Sequence, residues 1–223
     1  FKINENKKSY KTESDLKSKK NSIDRTVKLI LNSKKTVIVA GGGIKYNSKF
    51  KSVTKLAEFL NIPIVTAAGH GDAIPFSHKL NAGQMGPRGN IVASRLVKEA
   101  ELIIAIGTRL GFNSTFYSYD NINKDAKIVQ IELEKTMIGR YFPINVGSHG
   151  DAALVTDQIL AELRKQKKIF NYKEWTNSFL LERSKFLKDR DNIKSKNFPI
   201  QPSGLFRELR KVLPKNTAIT LDA

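Results

Sequence analysis

Apolar residues along the chain fall into two alternating patterns. Some stretches are short and apolar almost throughout, as in Thr36-Val-Ile-Val-Ala40. Others repeat their apolar residues at helical spacing, as in residues 50–60. Uniformly apolar runs are typical of parallel strands that helices cover on both faces, and the second spacing is typical of those covering helices. The alternation predicts an α/β fold, a doubly wound and mostly parallel sheet with helices on both faces.

The pattern predicts the positions of the helices and strands. The helices cover residues 24–31, 50–60, 91–100 and 152–165, and the strands cover residues 36–40, 62–68, 102–106, 127–133 and 144–147. Residues 71–90 show neither period, so no element is predicted there.

The same pattern divides the chain into a leader, a core and a tail. Residues 1–22 are rich in Lys, Ser and Asn, and we interpret them as a polar linker. Residues 23–168 carry the α/β pattern and form the central domain. Residues 169–198 are basic and helical in pattern, and we interpret them as a helical linker.

The formal charge of +18 raises the question of a nucleic-acid surface. Most basic residues are lysines, and they concentrate in residues 2–20, 165–173 and 185–196. Nucleic-acid recognition favours arginine with interleaved aromatic residues, and the sequence shows no such stripe. We therefore expect solvated helix faces and linkers, and no nucleic-acid partner.

The chain contains no Cys, which excludes disulfides, a thiolate nucleophile and Cys-based zinc sites. Its longest apolar runs, such as residues 102–107, are far shorter than the roughly 20 residues of a membrane-spanning helix. No signal peptide begins at Phe1, and a first residue other than Met leads us to expect a natural N-terminus upstream. We expect a cytoplasmic location and no membrane partner.

Glycine and polar residues follow most of the predicted strands. The strand ends read Gly41-Gly-Gly43, Ala68-Gly-His70, Gly107-Thr-Arg109, Glu132-Leu-Glu134 and Gly150-Asp151. Ligands of open parallel sheets bind outside the carboxyl ends of the strands. Glycines let backbone amides approach phosphates, arginine pairs with phosphates, and a carboxylate accepts hydrogen bonds from ribose. The set favours a dinucleotide.

Each of these features also has a structural explanation. Gly41–Gly43 lacks the spacing of G-x-G-x-x-G and of the P-loop, and is equally consistent with a plain turn. A ligand or ion-pair role is favoured for Arg109, whereas Glu132 and Glu134 alternate with apolar residues and can simply face solvent. The three histidines lie in separate loops without metal spacing, and no nucleophile with an adjacent base is visible. No catalytic residue and no metal site is predicted.

Several short motifs follow one another in an order typical of one family. They are Val39-Ala-Gly-Gly-Gly43, Leu56-Ala-Glu-Phe-Leu-Asn-Ile-Pro-Ile-Val65, Gly71-Asp-Ala-Ile-Pro75, Ala82-Gly-Gln-Met-Gly-Pro-Arg-Gly89, Ile106-Gly-Thr-Arg-Leu110, Ala126-Lys-Ile-Val-Gln-Ile131, Ile138-Gly139 and Gly150-Asp-Ala152. In order and spacing they resemble the central domain of thiamine-diphosphate-dependent enzymes of the acetolactate synthase-like superfamily. The resemblance covers roughly residues 23–163. Residues 199–223 resemble the start of that family's C-terminal diphosphate-binding domain, here truncated.

The resemblance implies a longer enzyme. In the family the catalytic glutamate precedes this domain and the Gly-Asp-Gly magnesium motif follows it, so we expect the fragment alone to catalyse nothing. The full-length protein is expected to be a transferase or lyase that uses thiamine diphosphate and Mg. Its expected chemistry is the decarboxylation or carboligation of 2-oxo acids or aldehydes, with the cofactor as electron sink. The family also implies a homodimer or homotetramer.

The resemblance further implies a nucleotide site in this domain. In FAD-binding members the matching positions line the cofactor; they are Gly41, Gly42, Gly43, Met85, Gly86, Arg88, Gly107, Thr108, Arg109, Glu132 and Asp151. Acetolactate synthases carry Asp and Arg in the segment that reads Leu110-Gly-Phe-Asn-Ser-Thr115 here, so FAD, another adenine nucleotide and no ligand all stay open. That segment is closer to sulfoacetaldehyde acetyltransferase, the alternative subfamily. A stand-alone nucleotide-binding domain is a further alternative.

Overall fold

The computed structural model describes residues 16–45, 49–167, 170–191, 199–214 and 216–219. Most of the predicted polar linker over residues 1–22 lies outside these ranges, as do parts of the two predicted C-terminal segments. The chain forms two compact units, residues 1–180 and residues 181–223.

A six-stranded sheet forms the core of the first unit. Its strands are β1 (Thr36–Ala40), β2 (Ile64–Thr66), β3 (Asn81–Gln84), β4 (Leu102–Ile106), β5 (Lys127–Glu132) and β6 (Val146–His149). They lie in the order β3-β2-β1-β4-β5-β6, and every neighbouring pair is parallel. The chain direction of the winding reverses between β1 and β4, which makes this pair the topological switch point. The predicted fold class is confirmed.

Helices cover the sheet, and they begin and end close to the predicted positions. The α-helices are α1 (Lys20–Asn32), α2 (Phe50–Leu60), α3 (Ile91–Glu99), α4 (Phe112–Thr115), α5 (Ala152–Arg164) and α6 (Lys173–Asp191), with short 3₁₀ turns at Gly42–Ile44 and Lys135–Met137. Helix α5 packs against both α1 and α2, and α3 packs against β3. All five residues of β1 and of β4 are buried, as central strands covered on both faces must be.

Strand β3 is an element that the sequence pattern did not predict. Asn81-Ala-Gly-Gln84 contains one apolar side chain, so it does not stand out as a hydrophobic run. Its backbone is nevertheless paired with β2, and Asn81 is fully buried. The Asn81 amide donates to the carbonyls of Ile74 and Pro75 at 3.1 and 3.2 Å, and its side-chain oxygen accepts from the Gly83 N–H at 2.8 Å. Hydrogen bonding within the preceding loop thus fixes this edge strand.

The start of α6 belongs to the core of the first unit, although the sequence pattern assigned residues 169–198 to a linker. The buried side chains Tyr172, Trp175, Thr176 and Phe179 follow i, i+3, i+4, i+7 spacing. The Tyr172 hydroxyl donates to the Ile30 carbonyl at 2.6 Å, and the Trp175 indole donates to the Thr36 carbonyl at 3.0 Å. These bonds anchor the helix at the amino end of β1, opposite to the end from which the glycine loop leaves.

The second unit contains the end of α6 and helix α7 (Pro202–Val212). Proline in the first turn favours helix initiation there. Leu205, Phe206 and Val212 are exposed in this unit. The assignment of residues 199–223 to the start of a further domain stays a prediction. Across all the described ranges, no helix combines the length and apolarity needed to cross a membrane.

Candidate functional site

A cleft of about 560 Å³ opens at the carboxyl ends of β2, β1, β4 and β5. These four strands are neighbours in the sheet, and strands lie about 4.8 Å apart, so their ends span about 14 Å. The cleft therefore crosses the switch point between β1 and β4, where ligands of doubly wound sheets bind. Its size is typical of small-molecule sites.

Six of the eleven predicted site residues line this cleft, and five do not. Those that line it are Gly42, Gly43, Gly107, Thr108, Arg109 and Glu132. The others are Gly41, Met85, Gly86, Arg88 and Asp151. The six come from the ends of three different strands, and the fold brings them together.

The glycine loops after β1 and β4 touch each other at the centre of the cleft. The Gly41 N–H donates to the Ile106 carbonyl, and the Gly43 N–H donates to the Gly107 carbonyl, both at 3.0 Å. A Cβ on Gly41 would lie 2.3 Å from the Gly107 carbonyl oxygen, and one on Gly43 would lie 2.8 Å from the Gly107 Cα. Gly107 itself has φ +60°. These glycines therefore allow two loop backbones to approach each other, besides any approach to a ligand.

The remaining residues that were predicted to bind a cofactor do not line the cleft. Met85 is fully buried, and Arg88 is exposed. Gly86 supports the cleft wall, because a Cβ there would lie 3.0 Å from the Asn113 carbonyl oxygen. Asp151 is 3% exposed and caps α5, accepting from the N–H groups of Ala153 and Leu154 at 2.9 and 3.2 Å.

Asp151 also forms a buried ion pair with Lys49 at the start of α2. Both partners are largely removed from solvent. The carboxylate thus caps α5 and pairs with a cation. These two contacts explain the presence of Asp at this position without a ligand.

Arg109, Glu132 and Glu134 are the charged residues that line the cleft, and the first two end neighbouring strands. Glu132 accepts through Oε1 from the Leu133 and Glu134 N–H groups at 2.9 and 3.4 Å, which holds the carboxylate at the end of β5. Arg109 is exposed at the end of β4. Among the described residues, no carboxylate lies within 4.0 Å of the Arg109 guanidinium. An unpaired arginine beside glycine backbone is suited to binding an anion.

His70 is a cleft residue that the sequence pattern placed in an ordinary loop. Its ring lies against the glycine loop, because a Cβ on Gly42 would lie 2.7 Å from His70 Cε1. Within the described residues its Nδ1 is buried and has no hydrogen-bond partner. Burial and then the charge of Lys45 lower the pKa of His70, and Asp72, which pairs with Lys45 at 2.7 Å, opposes this effect. The imidazole is therefore neutral near neutral pH.

An aromatic rim is the second feature that the sequence pattern missed. Phe112, Tyr117 and Tyr141 line the cleft beside Glu132 and Glu134. Phe112 and Tyr117 belong to the segment after β4 and Tyr141 to the loop after β5, so no spacing along the chain could indicate that Tyr141 meets the other two.

No group of three or more His, Asp or Glu side chains in the described part of the chain is arranged to hold a metal ion. The cleft offers glycine backbone, one arginine and two carboxylates, Glu132 and Glu134, at the end of β5. This donor set fits an elongated ligand with a phosphate group better than a bound cation.

The family described as thiamine pyrophosphate enzyme, central domain, matches residues 23–159. The chain belongs to this family. The family membership and the α/β fold expected from the motif order are confirmed.

Similar curated proteins carry related names. The chain is 38% identical over 144 residues to a sulfoacetaldehyde acetyltransferase from Roseovarius nubinhibens, covering 64% of this chain and 24% of that protein. It is 28% identical over 225 residues to one from Castellaniella defragrans, covering 90% and 37%. It is 30% identical over 215 residues to a probable acetolactate synthase large subunit from Methanococcus aeolicus, covering 90% and 35%. The chain thus spans between a quarter and two fifths of these relatives' lengths.

Gly107→Ala is expected to destabilise the domain. The substitution combines a left-handed backbone angle with a Cβ 2.9 Å from the Gly43 Cα, so we expect a loss of about 2–4 kcal/mol in the free energy of unfolding. Gly111→Ala is the matched control, because its Cβ would meet nothing within 4 Å and its φ is −74°. We expect the control to change stability by less than about 0.5 kcal/mol. Urea denaturation of both variants measures the free energy of unfolding. An equal decrease in both variants would contradict the proposed effect of the close contact between Gly43 and Gly107.

The lowered pKa of His70 makes stability depend on pH. The pKa of His70 in the folded protein lies below the ordinary value of 6.5, so the unfolded chain binds more protons at mildly acidic pH. The contribution of His70 to the free energy of unfolding is therefore present above pH 6.5 and is lost as the pH falls below 6.5. Replacing His70 with Gln should reduce the loss of unfolding free energy between about pH 7.5 and about pH 5. Denaturation at several pH values measures it. A steeper loss in the variant, or an NMR midpoint for His70 above 6.5, would contradict the assignment.

Proposed function

We propose that this chain is the central part of a longer thiamine-diphosphate-dependent carboligase or decarboxylase that acts on 2-oxo acids, as acetolactate synthases do. The family match and the relatives named acetolactate synthase support this proposal. Thiamine diphosphate supplies an electron sink for carbanion chemistry when it is bound. We propose that other parts of the longer protein supply the catalytic glutamate and the magnesium motif for that cofactor, and that the residues of this chain bind a second ligand.

For that second ligand we propose an adenine nucleotide, with FAD as one candidate. The observation that carries this proposal is the cleft at the switch point, which joins Arg109, without a carboxylate partner among the described residues, to the glycine loops and Glu132. Arg109 is suited to a diphosphate, because its fork of donors matches phosphate oxygens. The carboxylate of Glu132, at the neighbouring strand end, is suited to ribose hydroxyls.

The order of the strands arranges these groups along the ligand. Glu132 is the last residue of β5, Arg109 follows β4, and Gly42 and His70 follow β1 and β2. A nucleotide with its nucleoside at β5 and its diphosphate at the switch point would leave the β2 end for a further group. This end is where His70 would contact the distal part of a ligand longer than ADP.

The alternative function is that of a sulfoacetaldehyde acetyltransferase-like enzyme. Relatives with that name reach 38% and 36% identity over 64% of the chain; over 90% of the chain they reach 28% and 29%, and the acetolactate synthase relative reaches 30%. The segment over residues 110–115 favours it, since it lacks the Asp and Arg that acetolactate synthases carry there. In this reaction the carbon–sulfur bond of sulfoacetaldehyde would break and release sulfite, and the remaining two-carbon unit would pass as an acetyl group to an acceptor nucleophile.

The two functions predict different products from the full-length protein. With thiamine diphosphate and Mg, an acetolactate synthase-like enzyme should convert pyruvate to acetolactate and CO₂ and leave sulfoacetaldehyde unchanged. The alternative enzyme should consume sulfoacetaldehyde and release sulfite. Product analysis by mass spectrometry and a sulfite assay measures both. Dependence on added thiamine diphosphate is the control, and turnover without it would contradict both proposals.

The nucleotide proposal predicts that Arg109→Gln weakens ADP binding about tenfold or more, because a charged hydrogen-bonding partner of the diphosphate is removed. The matched control is Arg88→Gln, which removes an exposed arginine outside the cleft. Isothermal titration of the full chain with ADP and with FAD measures the effect, and flavin absorbance of the purified full-length protein checks FAD directly. Equal weakening by both variants would contradict binding in the cleft.

A further inference from the structure

Four aromatic rings form a chain of ring contacts beside the cleft, and three of them, Phe112, Tyr117 and Tyr141, line it. This aromatic wall consists of Phe112, Phe116, Tyr117 and Tyr141. The centroids of Phe112 and Phe116 lie 4.8 Å apart, those of Phe112 and Tyr117 5.6 Å, and those of Tyr117 and Tyr141 4.6 Å. The guanidinium of Arg140 lies over Tyr141 at 5.7 Å. The wall joins the loop after β4 to the loop after β5.

The wall is exposed and its backbone is strained. Phe112, Phe116 and Tyr117 are 53%, 44% and 49% exposed. Leu110, Phe116 and Tyr117 have φ values of 52°, 49° and 54°, which cost free energy for residues with a Cβ. Exposed rings in strained backbone contribute little to folding. Strain of this kind concentrates at ligand-binding sites.

Buried hydrogen bonds hold the two loops of the wall in place. Gln130 on β5 is 2% exposed and donates to the Thr108 and Met137 carbonyls at 3.4 and 3.1 Å. The side-chain oxygen of Gln130, Oε1, accepts from the Gly139 N–H at 2.8 Å. The buried Thr115 hydroxyl donates to the Leu110 carbonyl at 3.0 Å and accepts from the Tyr117 N–H at 3.1 Å. The rings are therefore pre-positioned, which lowers the entropic cost of binding a flat ligand.

The neighbours of the wall match the edge of a nucleobase and its sugar. Glu132 and Glu134 line the cleft beside Tyr117 and Tyr141, and their carboxylates accept hydrogen bonds. Hydrogen bonds from Thr136 lower the pKa of Glu134, so this carboxylate is ionised at neutral pH. Arg109, suited to phosphates, follows the adjacent strand. A base at the wall, a ribose at Glu132 and a diphosphate at Arg109 follow the order of a nucleotide.

We propose that the aromatic wall stacks on the base of the nucleotide in the cleft and makes the site selective for nucleotides over a bare diphosphate. The proposal rests on the nucleotide function proposed above. It assigns Tyr117 and Tyr141 as base-contacting residues, a role that the sequence did not predict for either. Stacking on aromatic side chains contributes about five- to hundredfold in affinity per base.

The test compares two ligands on the full chain. ADP carries base, ribose and diphosphate, whereas inorganic pyrophosphate carries only the charge. We expect Tyr117→Ala and Tyr141→Ala to weaken ADP binding about tenfold while leaving pyrophosphate binding unchanged. Replacing either tyrosine with Phe keeps the ring and should retain most of the ADP affinity. Tyr119→Ala is the matched control, since Tyr119 is 43% exposed and packs edge-on against Phe142 away from the cleft.

The outcomes separate this proposal from the one on which it rests. ADP binding that needs Arg109 but is unaffected by both alanine variants would overturn the role of the wall and retain the nucleotide site. No binding of ADP, FAD or pyrophosphate would overturn the nucleotide function itself. If the alanine variants instead alter the oligomeric state measured by light scattering and leave ADP affinity unchanged, the wall is a protein contact and the proposal fails. Circular dichroism confirms that each variant is folded.

Discussion

The close contact between the backbones after β1 and β4 is the constraint on which the cleft depends. Gly43 and Gly107 approach so closely that neither position has room for a Cβ. This contact lies between β1 and β4, where the sheet reverses its winding. It therefore forms the central part of the cleft. The three glycines at the end of β1 therefore serve the fold first. Any anion that binds there uses backbone already positioned by loop–loop packing.

Around this contact between the two loops, the site combines rigid and strained parts. Helices α2 and α5 are tied together at the sheet's edge by the buried pair of Lys49 and Asp151. The loop after β4 instead carries three non-glycine residues with positive φ, and internal side-chain hydrogen bonds hold it. Stable packing thus supports this loop, while the residues best placed to contact a ligand lie in backbone with strained φ angles.

Much of the fold could be predicted because buried parallel strands produce apolar runs, as β1 and β4 do. Strand β3 could not, because Asn81 is held by loop hydrogen bonds instead of by apolar burial. Trp175 and Phe179 follow a helical pattern, but surrounding lysines masked it. In the site, residues at strand ends were predictable by position. The stack of Tyr117 on Tyr141 was not, since it joins loops that only the sheet order makes neighbours.

Phe116 ends α4 in the left-handed conformation, a position where glycine is the usual residue. A glycine there would relieve backbone strain of about 1 kcal/mol. Directed evolution for heat tolerance would accordingly favour removal of this ring, since such selection rewards only the folded state. Thermostable descendants obtained without a ligand in the screen would then lose the ring that packs on Phe112, and their gain in melting temperature would conceal the loss of support for a residue that lines the cleft.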